Sequence, residues 1–466
     1  RGYNFSRFYL LVVIIFYPIL IFIINFLLSK YKFSKFVLLI LFFLTGFYLL
    51  TSIISNNAVT VSLNERESEE ISLSSDKIVG LEYNKEGQCN EWIGSQNFNK
   101  CTTGATFTVV DTFGVRLSNL IFNNQELFIL QSSGEIYKYN LQSFEKDLFL
   151  DLSEKVFYKQ LGYFESGLFS LAFHPNKEYF LVSYSDLDNN LRVEKYDFKA
   201  DSVDTISSKI ITTIPSSDGT HYSGNLIWSN FFNDFLLSVG DMGYKFNSSD
   251  TTTPKGKVLL LNTQGNIEIP QPPLISDSEN TTPLENVIAY GLRNPWKTFE
   301  HDNYLFIPDI GYQDMEELNI ITLSDFENPI YFGWPIYEGI KKSSDEFFPV
   351  SYWTESGKMN LNVFAEEFTT LPKLYYDHNS PDVYRAAIIG GDVVNQKDSK
   401  FYNSYIFADY LSKELFSYDF INDQLSILPL PNEFDTYISS LIINPFEIDK
   451  ALITTGNGEL IEIKLP

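Results

Sequence analysis

Residues 126–140 read ELFILQSSGEIYKYN: an aliphatic and aromatic run, a polar turn, and a second alternating run. Alternation with a period of two predicts a β-hairpin with one buried face. The pattern returns five more times, beginning at residues 178, 234, 303, 403 and 450, and no convincing helical periodicity follows residue 55. Six copies of one hairpin predict an all-β fold, a six-bladed β-propeller, because radial stacking of small sheets leaves few exposed edges. An array of β-sandwiches is the alternative.

The predicted propeller spans residues 111–466. Residues 55–110 are predicted to form a linker and a cysteine-containing segment that leads into it. Propellers build their binding surface from loops at one mouth of the central channel, so polar residues that interrupt the strand pattern are the functional candidates.

Charge is distributed unevenly along the chain. The formal net charge is −25, yet residues 1–54 hold five basic residues and no acidic one, which leaves 29 basic against 59 acidic residues, or −30, for the remainder. A domain this acidic repels phosphate backbones, and the sequence shows no basic stripe that would offset the repulsion. The composition therefore excludes nucleic acid as a partner.

Two uncharged apolar runs, residues 8–28 and 36–54, are 21 and 19 residues long. About 20 apolar residues suffice for a helix to cross a bilayer, so the runs predict a transmembrane hairpin that makes the membrane a partner. Lys30, Lys32 and Lys35 lie between or beside them and place the connector in the cytoplasm. The predicted localisation is a multi-pass membrane protein whose large domain is extracytoplasmic, in a periplasmic, luminal or extracellular compartment.

The only two cysteines, Cys89 and Cys101, enclose 11 residues in a polar stretch. A local, isolated pair predicts a disulfide in an oxidising compartment. Two unrelated thiols are the alternative, and the lack of nearby histidines disfavours a metal site.

Candidate catalytic residues interrupt the strand pattern in the middle of the chain. His221 lies in a loop of small residues, and Asp241 follows twenty residues later. A neutral imidazole accepts a proton near neutral pH, and a carboxylate can orient it or the substrate. A loop histidine also occurs without any catalytic role, so both interpretations stay open at this point.

Two further motifs indicate ligand binding. Arg293 and Asn294 precede a proline that fixes a turn, and this pair can bind a carboxylate or carbonyl or can brace a loop. Residues 309–317 cluster carboxylates around a glycine turn. That cluster is compatible with Ca²⁺ ligation or with a solvated acidic loop.

Eight motifs in a fixed order resemble the glucose/sorbosone dehydrogenase family. They are GLFSLAFHP (167–175), HYSGNL (221–226), SVGDMG (238–243), KGKVLLLN (255–262), AYGLRNPW (289–296), DIGYQDMEELN (309–319), FGWPIYEG (332–339) and FADY (407–410). The resemblance extends from about Leu117 to the C-terminus. It implies a six-bladed propeller related to soluble sugar dehydrogenases that use pyrroloquinoline quinone (PQQ).

The resemblance assigns roles residue by residue. His221 matches the general base that takes the hydroxyl proton as hydride leaves the sugar, and Asp241 matches its substrate-side carboxylate. Arg293 and Asn294 match the pair that contacts the quinone, and Glu165 falls where the soluble glucose enzymes have a cofactor-contacting glutamine.

The implied metal contacts come from two places. The carbonyls of Gly311 and Tyr312 match the turn that holds the cofactor-bound Ca²⁺, although the soluble glucose enzymes have proline at the position of Tyr312. Glu317 and the carbonyl of Phe332 match a second, structural Ca²⁺ site.

The sequence departs from the family at the cofactor carboxylates. The soluble glucose enzymes hold the three PQQ carboxylates with a lysine and an Arg-x-Arg pair, which here fall near Leu411 and within 435–441, where no cation stands. Lys413 and Arg385 are possible substitutes.

The leading hypothesis is a membrane-anchored dehydrogenase dependent on PQQ and Ca²⁺. It would oxidise a sugar or related alcohol and pass electrons to an external acceptor or a membrane-protein partner. The alternative is a catalytically inactive propeller that binds a glycan or a protein or serves as a subunit of a membrane assembly.

Overall fold

The computed structural model of the protein describes residues 79–83, 89–93, 105–159, 165–176, 179–199, 202–216, 218–250, 253–261, 286–343, 351–354, 357–379, 383–428, 430–431 and 433–466. The chain divides into two compact units, residues 1–74 and 75–466, and every described residue belongs to the second. The predicted spans at 8–28 and 36–54 lie outside the described residues, as does Cys101.

The first half of the described chain forms three of the propeller's sheets. Three strands come first: β1 (Val79–Tyr83), β2 (Cys89–Ile93) and β3 (Thr106–Thr112). Blade 1 contains β4 (Leu117–Asn123), β5 (Glu126–Gln131), β6 (Glu135–Tyr139) and β7 (Lys146–Asp151). Blade 2 contains β8 (Leu168–Phe173), β9 (Tyr179–Ser185), β10 (Leu191–Lys199) and β11 (Ser202–Ile214). Blade 3 contains β12 (Ser223–Ser229), β13 (Asp234–Val239), β14 (Lys257–Leu261) and β15 (Val287–Tyr290), with a 3₁₀ turn at Lys245–Asn247.

Blade 4 carries the insertions. Its strands are β16 (Phe299–His301), β17 (Tyr304–Asp309), β18 (Met315–Thr322) and, after a long excursion, β24 (Leu374–Asp377). The excursion contains a 3₁₀ turn (Leu323–Asp325), β19 (Ile330–Tyr331), β20 (Tyr337–Glu338), β21 (Lys341–Lys342), β22 (Ser351–Thr354), β23 (Gly357–Asn360) and helix α1 (Leu361–Phe368). Strand β19 pairs with blade 3, and β1 extends blade 4 by pairing with β24.

Two further blades complete the ring. Blade 5 contains β25 (Ile388–Val393), β26 (Ser404–Asp409), β27 (Leu415–Asp419) and β28 (Gln424–Leu428). Blade 6 contains β29 (Ile438–Ile443), β30 (Lys450–Thr455) and β31 (Glu459–Lys464), and it takes β3 as its outermost strand. Thr106 stands opposite Lys464 in that pairing, so the two ends of the propeller close the ring in one sheet. The predicted six-bladed propeller is confirmed.

Apolar side chains from facing sheets hold neighbouring blades together. The described residues contain six hydrophobic clusters, one at each of the six blade interfaces. Between blades 1 and 2, for example, Phe128, Phe173 and Phe180 pack with ring centroids 4.9 to 5.5 Å apart. Alternate residues of each strand point into these interfaces, which is why the hairpin pattern is visible in the sequence.

The inner strands surround a cavity of about 290 Å³ in the central channel. Lys297 and Asp392 contribute polar groups to its wall, and Leu120, Leu171 and Leu441 contribute apolar ones. Burial lowers the pKa of Lys297 well below its usual range and raises the pKa of Asp392 to about 7. The Lys297 ammonium or amine donates to the Ser118 carbonyl oxygen at 2.8 Å.

The membrane prediction is corrected. No helix in the part of the chain that the structure describes is long and apolar enough to cross a bilayer, and its one α-helix, α1, has eight residues. A span needs about 20 residues in helical conformation, so the prediction of a multi-pass membrane protein is wrong on this finding. No disulfide occurs among the described residues, and the predicted Cys89–Cys101 bond involves a residue outside them.

Candidate functional site

The mouth of the propeller is the face where the inner strand of each blade begins. Inner and second strands pair antiparallel, so residues just before the inner strand and just after the second strand meet at this face. Ionisable residues shortly precede all six inner strands: Arg116, Glu165, His221, Arg293, Arg385 and Asp435. Residues far apart in sequence are thereby gathered around one opening.

A buried carboxylate fixes the His221 ring at the mouth. His221 Nδ1 lies 2.6 Å from Asp241 Oδ1, and the Asp241 side chain is only 2% exposed. The same carboxylate accepts the backbone N–H of Gly243 at 2.9 Å and the indole N–H of Trp334 at 3.0 Å. With three donors around it, Asp241 has one orientation, and the imidazole is held accordingly.

The second nitrogen of His221 faces a guanidinium. Arg293 Nη2 lies 2.9 Å from His221 Nε2. A guanidinium has only donors, so Nε2 accepts and the ring proton resides on Nδ1, where it is donated to Asp241. Arg293 Nη1 donates to the carbonyl oxygens of Ile310 and Gly311 at 2.9 and 2.6 Å, which anchors the guanidinium. His221 is therefore a neutral imidazole whose basic nitrogen is Nε2.

The neighbouring blade supports the His221 backbone. His221 has φ of +50°, a conformation that L-residues rarely adopt. Its N–H donates to Glu165 Oε2 at 2.7 Å, from the loop before β8. Such a conformation persists only where the surroundings hold it, so the contact from blade 2 contributes to the placement of the ring.

The turn after β17 wraps around a single carboxylate oxygen. Glu338 Oε1 accepts four backbone N–H groups at 2.7 to 3.1 Å, those of Tyr312, Gln313, Asp314 and Met315. The turn presents the Tyr312 ring, 58% exposed, at the mouth, and the Arg293 guanidinium carbon lies 5.6 Å from its centroid. Glu338 thus fixes one aromatic wall of the site.

Two carboxyl groups lie buried beneath this turn. Asp309 and Glu317 stand opposite each other in the β17–β18 pairing. Burial raises the pKa of Asp309 to about 7 against hydrogen bonds from the backbone N–H groups of Arg293 and Asn294. Burial and the nearby Asp309 raise the pKa of Glu317 to about 8. A cation at this position would relieve the shared cost of burying both.

These residues surround a pocket of about 550 Å³, a size suited to a small organic ligand. Its wall contains His221, Asp241, Gly243, Tyr244, Lys245, Phe246, Arg293, Tyr312, Gln313, Asp314, Trp334, Pro335, Glu338, Lys341, Lys342 and Ser343. Aromatic rings supply flat surfaces for a ring-shaped ligand, and four of the wall residues are cationic. The arrangement combines a base, an orienting carboxylate and a wall that holds four cations and three carboxylates.

A family model described as glucose/sorbosone dehydrogenase matches residues 118–371, more than half of the chain. The chain belongs to the glucose/sorbosone dehydrogenase family. The matched region contains blades 1 to 3 and most of blade 4, including His221, Asp241 and Arg293. The resemblance predicted from the motifs is confirmed at the level of the family.

Solved structures of sugar dehydrogenases share the fold. The PQQ-bound aldose sugar dehydrogenase from Streptomyces coelicolor superposes with a TM-score of 0.55 at 14% identity, covering 78% of this chain and all (100%) of that one. The soluble aldose sugar dehydrogenase from Escherichia coli, in its apo-form, gives a TM-score of 0.57 at 17% identity, with coverage of 78% and 100%. Among curated proteins, no sequence matches the chain.

The residues predicted for this glucose/sorbosone dehydrogenase family member fall into two groups. Direct contacts join six of them at the mouth: Glu165, His221, Asp241, Arg293, Gly311 and Tyr312. Asn294, Glu317 and Phe332 are buried, with exposures of 1%, 6% and 3%, and do not line the pocket. Their proposed roles stay predictions.

The predicted metal contacts are not a cluster of ionisable ligands. No group of three or more His, Cys, Asp or Glu side chains within the described ranges is arranged to hold a metal ion. Three of the four predicted contacts are backbone carbonyls, and one of them, Gly311, accepts from Arg293. Beside Glu317, the buried Asn319 donates through Nδ2 at 3.3 Å, while its Oδ1 has no hydrogen-bond partner in the described structure.

Several residues that shape the site have no role that the sequence alone predicts. Trp334 and Glu338 lie within a quoted motif, but only the fold shows that they support Asp241 and the Tyr312 turn. Lys257 is fully buried, and its Nζ donates to the carbonyls of residues 247, 250 and 255 at 2.7 to 3.1 Å. It thereby organises the loop that follows Asp241. The sequence signal for this role is a single lysine directly before the apolar run VLLL (258–261) of a predicted strand.

Proposed function

We propose that this chain is a PQQ-dependent dehydrogenase that oxidises an aldose sugar or a related alcohol. One observation carries the proposal: His221 stands at the mouth as a neutral base, with Nδ1 held by Asp241 and Nε2 turned to the Arg293 side of the pocket. Family membership and the PQQ-bound relative from Streptomyces coelicolor support the same chemistry.

The residues at the mouth suit a flat, carboxylated quinone. Arg293 and three lysines, Lys245, Lys341 and Lys342, stand in the pocket wall with three carboxylates, those of Asp241, Asp314 and Glu338. Lys341 and Lys342 pair with Asp314 and Glu366, so Arg293 is the cation nearest to His221. Tyr312 and Trp334 supply adjoining aromatic surfaces beside the guanidinium, with ring centroids 5.6 and 5.9 Å from its carbon and 6.1 Å from each other. PQQ, when bound, supplies the two-electron acceptor, which an external acceptor would then reoxidise.

His221 would act as the general base. Its Nε2 takes the proton of the anomeric hydroxyl while the C1 hydrogen departs with its electron pair, so that a lactone forms from the sugar. Positive charge develops on the imidazole as the proton arrives, and Asp241, 2.6 Å from Nδ1, stabilises it. Arg293 must yield Nε2 to the substrate, and its anchors at Ile310 and Gly311 keep the guanidinium beside the reacting atoms.

Calcium is proposed as the second cofactor. Asp309 and Glu317 stand opposite each other beneath the Tyr312 turn, and Asn319, which donates to Glu317 through Nδ2, has an unpartnered Oδ1 in the described structure; oxygen donors such as these are what Ca²⁺ prefers. Whereas the carbonyls of Gly311 and Tyr312 would hold a separate, cofactor-bound Ca²⁺, the carbonyl of Phe332 would supply a further ligand at this structural site. Ca²⁺ there would offset the charge of two buried carboxylates.

The test is dye reduction by purified protein supplied with PQQ and Ca²⁺ and offered a panel of aldoses. His221→Ala should lower turnover by at least about 100-fold, the usual scale for loss of a general base. His174→Ala is the matched control, since His174 follows β8 at the opposite face and stacks on Tyr179. Wild-type protein that binds no PQQ and reduces no dye would instead favour the binding-module alternative.

A further inference from the structure

Three cations on the side of the mouth formed by blades 1, 5 and 6 differ in availability. Arg385 has no exposed surface and is held by both oxygens of Glu414, at 2.7 and 3.1 Å. Within the described ranges, the ion-pair partner of Lys413 is Asp435, a residue whose side chain is 84% exposed. Exposed ion pairs are worth little and exchange readily, so Lys413 can serve a ligand and Arg385 cannot.

Arg116, directly before β4, is the third cation. Its Nε donates to Ser132 Oγ at 2.9 Å and its Nη2 to the Ser166 carbonyl at 2.8 Å. No carboxylate within the described residues lies within 4.0 Å of it, although acidic residues outnumber basic ones 59 to 34 in this chain. These two bonds and the Tyr158 ring, whose centroid lies 5.7 Å from the guanidinium carbon, position Arg116, and no ion pair in the described structure competes with a ligand for its charge.

Two aromatic rings lie on the same side of the mouth as Lys413 and Arg116. Tyr410 stacks on Tyr437 with centroids 5.0 Å apart and planes inclined by 17°. The Lys413 ammonium lies 5.0 Å from the Tyr437 centroid. Burial raises the pKa of the Tyr410 hydroxyl, and the charge of Arg116 opposes that rise. Tyr410, Tyr437 and Lys413, together with Arg116 of the adjoining blade 1, are the shelf: two rings and two cations at the mouth.

The shelf adjoins the catalytic residues. Arg116 binds the carbonyl of Ser166, and the preceding residue, Glu165, accepts the His221 N–H. Lys413 and Tyr437 also lie in or beside the two segments where the family's carboxylate-binding cations are absent, near Leu411 and within 435–441. The shelf is thus linked to His221 through Glu165 and Ser166, which precede the inner strand of blade 2.

We infer that Arg116 and Lys413 bind carboxylate groups of the ligand at the mouth and replace the missing clamp. The inference rests on the proposed function, because the carboxylated ligand it names is PQQ. Arg116 offers a planar fork that matches a carboxylate, and Lys413 offers a point charge over an aromatic face. Tyr410 and Tyr437 supply the flat surface between them.

The experiment measures binding rather than turnover, by calorimetric titration of purified protein with three ligands. The first is PQQ, the second its trimethyl ester, and the third pyridine-2,4,6-tricarboxylate, which is redox-inert. Arg116→Gln and Lys413→Gln should each weaken PQQ and tricarboxylate binding by about tenfold or more and leave the ester unaffected, since only the carboxylates are recognised. Arg116→Lys should restore part of the affinity.

Lys138→Gln is the matched control, because Lys138 is an exposed cation paired with Glu126 on blade 1. Thermal melts establish whether the variants fold. If Arg116→Gln does not fold, Lys413→Gln still tests the shelf independently. Unchanged PQQ affinity in both variants would overturn the inference and leave the proposed function standing. Tricarboxylate binding that depends on Arg116, without PQQ binding, would keep the shelf and reject the cofactor. Binding of neither ligand by the wild type would reject both.

Discussion

At the scale of single residues, the tautomer of His221 depends on two neighbours of opposite charge. Asp241 accepts from Nδ1 and Arg293 donates to Nε2, so the ring proton and the basic lone pair are assigned to particular atoms. Trp334 then determines which Asp241 oxygen remains for the imidazole. Removal of charge at Asp241 should therefore affect the reaction more than it affects the fold.

Asp241→Asn should lower kcat by at least about 100-fold, because an amide can present a donor to Nδ1 and leave the imidazole in the wrong tautomer. The melting temperature should change by only a few degrees. Steady-state kinetics with PQQ and an aldose measure kcat, and a thermal melt measures the melting temperature. Asp325→Asn, at an exposed turn after β18, is the control. Activity within threefold of wild type would remove Asp241 from the mechanism.

Asp392, in the channel cavity, makes stability depend on pH. Burial raises its pKa to about 7 from an ordinary value of 3.8, so between these values the folded state binds more protons than the unfolded state. The free energy of unfolding should therefore fall as pH rises from about 4 to 7, by up to about 4 kcal/mol from this group, and change no further above 7.

Asp392→Asn should flatten that slope, as measured by denaturant unfolding at pH 5, 6, 7 and 8. Only the pH slopes of the variant and the wild type are compared, not their absolute stabilities. The Ile443 N–H donates to the Asp392 carboxylate, and an asparagine amide can face it with a second donor and so destabilise the variant at every pH. Asp409, whose pKa burial likewise raises to about 7, should leave a residual slope. An undiminished slope in the variant would assign the dependence to other groups.

At the scale of elements, β3 completes blade 6 from the opposite end of the chain. Phe107 in β3 packs edge-to-face on Phe434 with centroids 5.3 Å apart, whereas Val109, two residues on, is 46% exposed. The strand therefore contributes apolar burial as well as its backbone pairing with β31.

Phe107→Ala should destabilise the protein by about 2 kcal/mol or more, since a partly buried aromatic loses both its burial and its edge-to-face partner. Val109→Ala, in the same strand, should cost less than about 0.5 kcal/mol. Denaturant unfolding of the two variants measures the difference. Equal effects would mean that β3 adds only hydrogen bonds to the closure.

How far the sequence predicted the structure also varies by element. The six hairpins are the second and third strands of each blade, and in five of them a turn of three to five residues keeps the alternation within one window of sequence; in blade 3, residues 240–256 separate β13 from β14. β16 has three residues and follows a loop, so it leaves little pattern. The pairing of β3 with β31 joins residues about 350 positions apart, and no local pattern encodes it.

The same reasoning applies to the site. His221, Asp241 and Arg293 lie within motifs that resemble the glucose/sorbosone dehydrogenase family, so the sequence alone predicts them as site residues. Arg116 belongs to no motif, and its relation to Tyr410 arises only because the ring brings blades 1 and 5 to one opening. Lys413 was recognised as a substitute cation, but only the fold separates it from the buried Arg385.

At the scale of the whole molecule, a bound Ca²⁺ would connect blade 4 to the loops around it. Ca²⁺ should raise the melting temperature by a few degrees, since binding to the folded state alone stabilises by about 2.7 kcal/mol at 100 times Kd. Glu317→Gln should remove most of that shift. Scanning fluorimetry with added Ca²⁺ or a chelator measures it, and Mg²⁺ is the control ion. A shift that survives in the variant would exclude Glu317 as a ligand.

The pairing of Thr106 with Lys464 places the first and last strands of blade 6 side by side, so the blades could be connected in a different order along the chain. Because β31 ends where β3 begins, the two are adjacent antiparallel strands that lack only a connecting turn. A short linker there would turn blade 6 into an uninterrupted meander. New ends could then open in a loop between other blades, so a circular permutant of residues 105–466 is expected to fold.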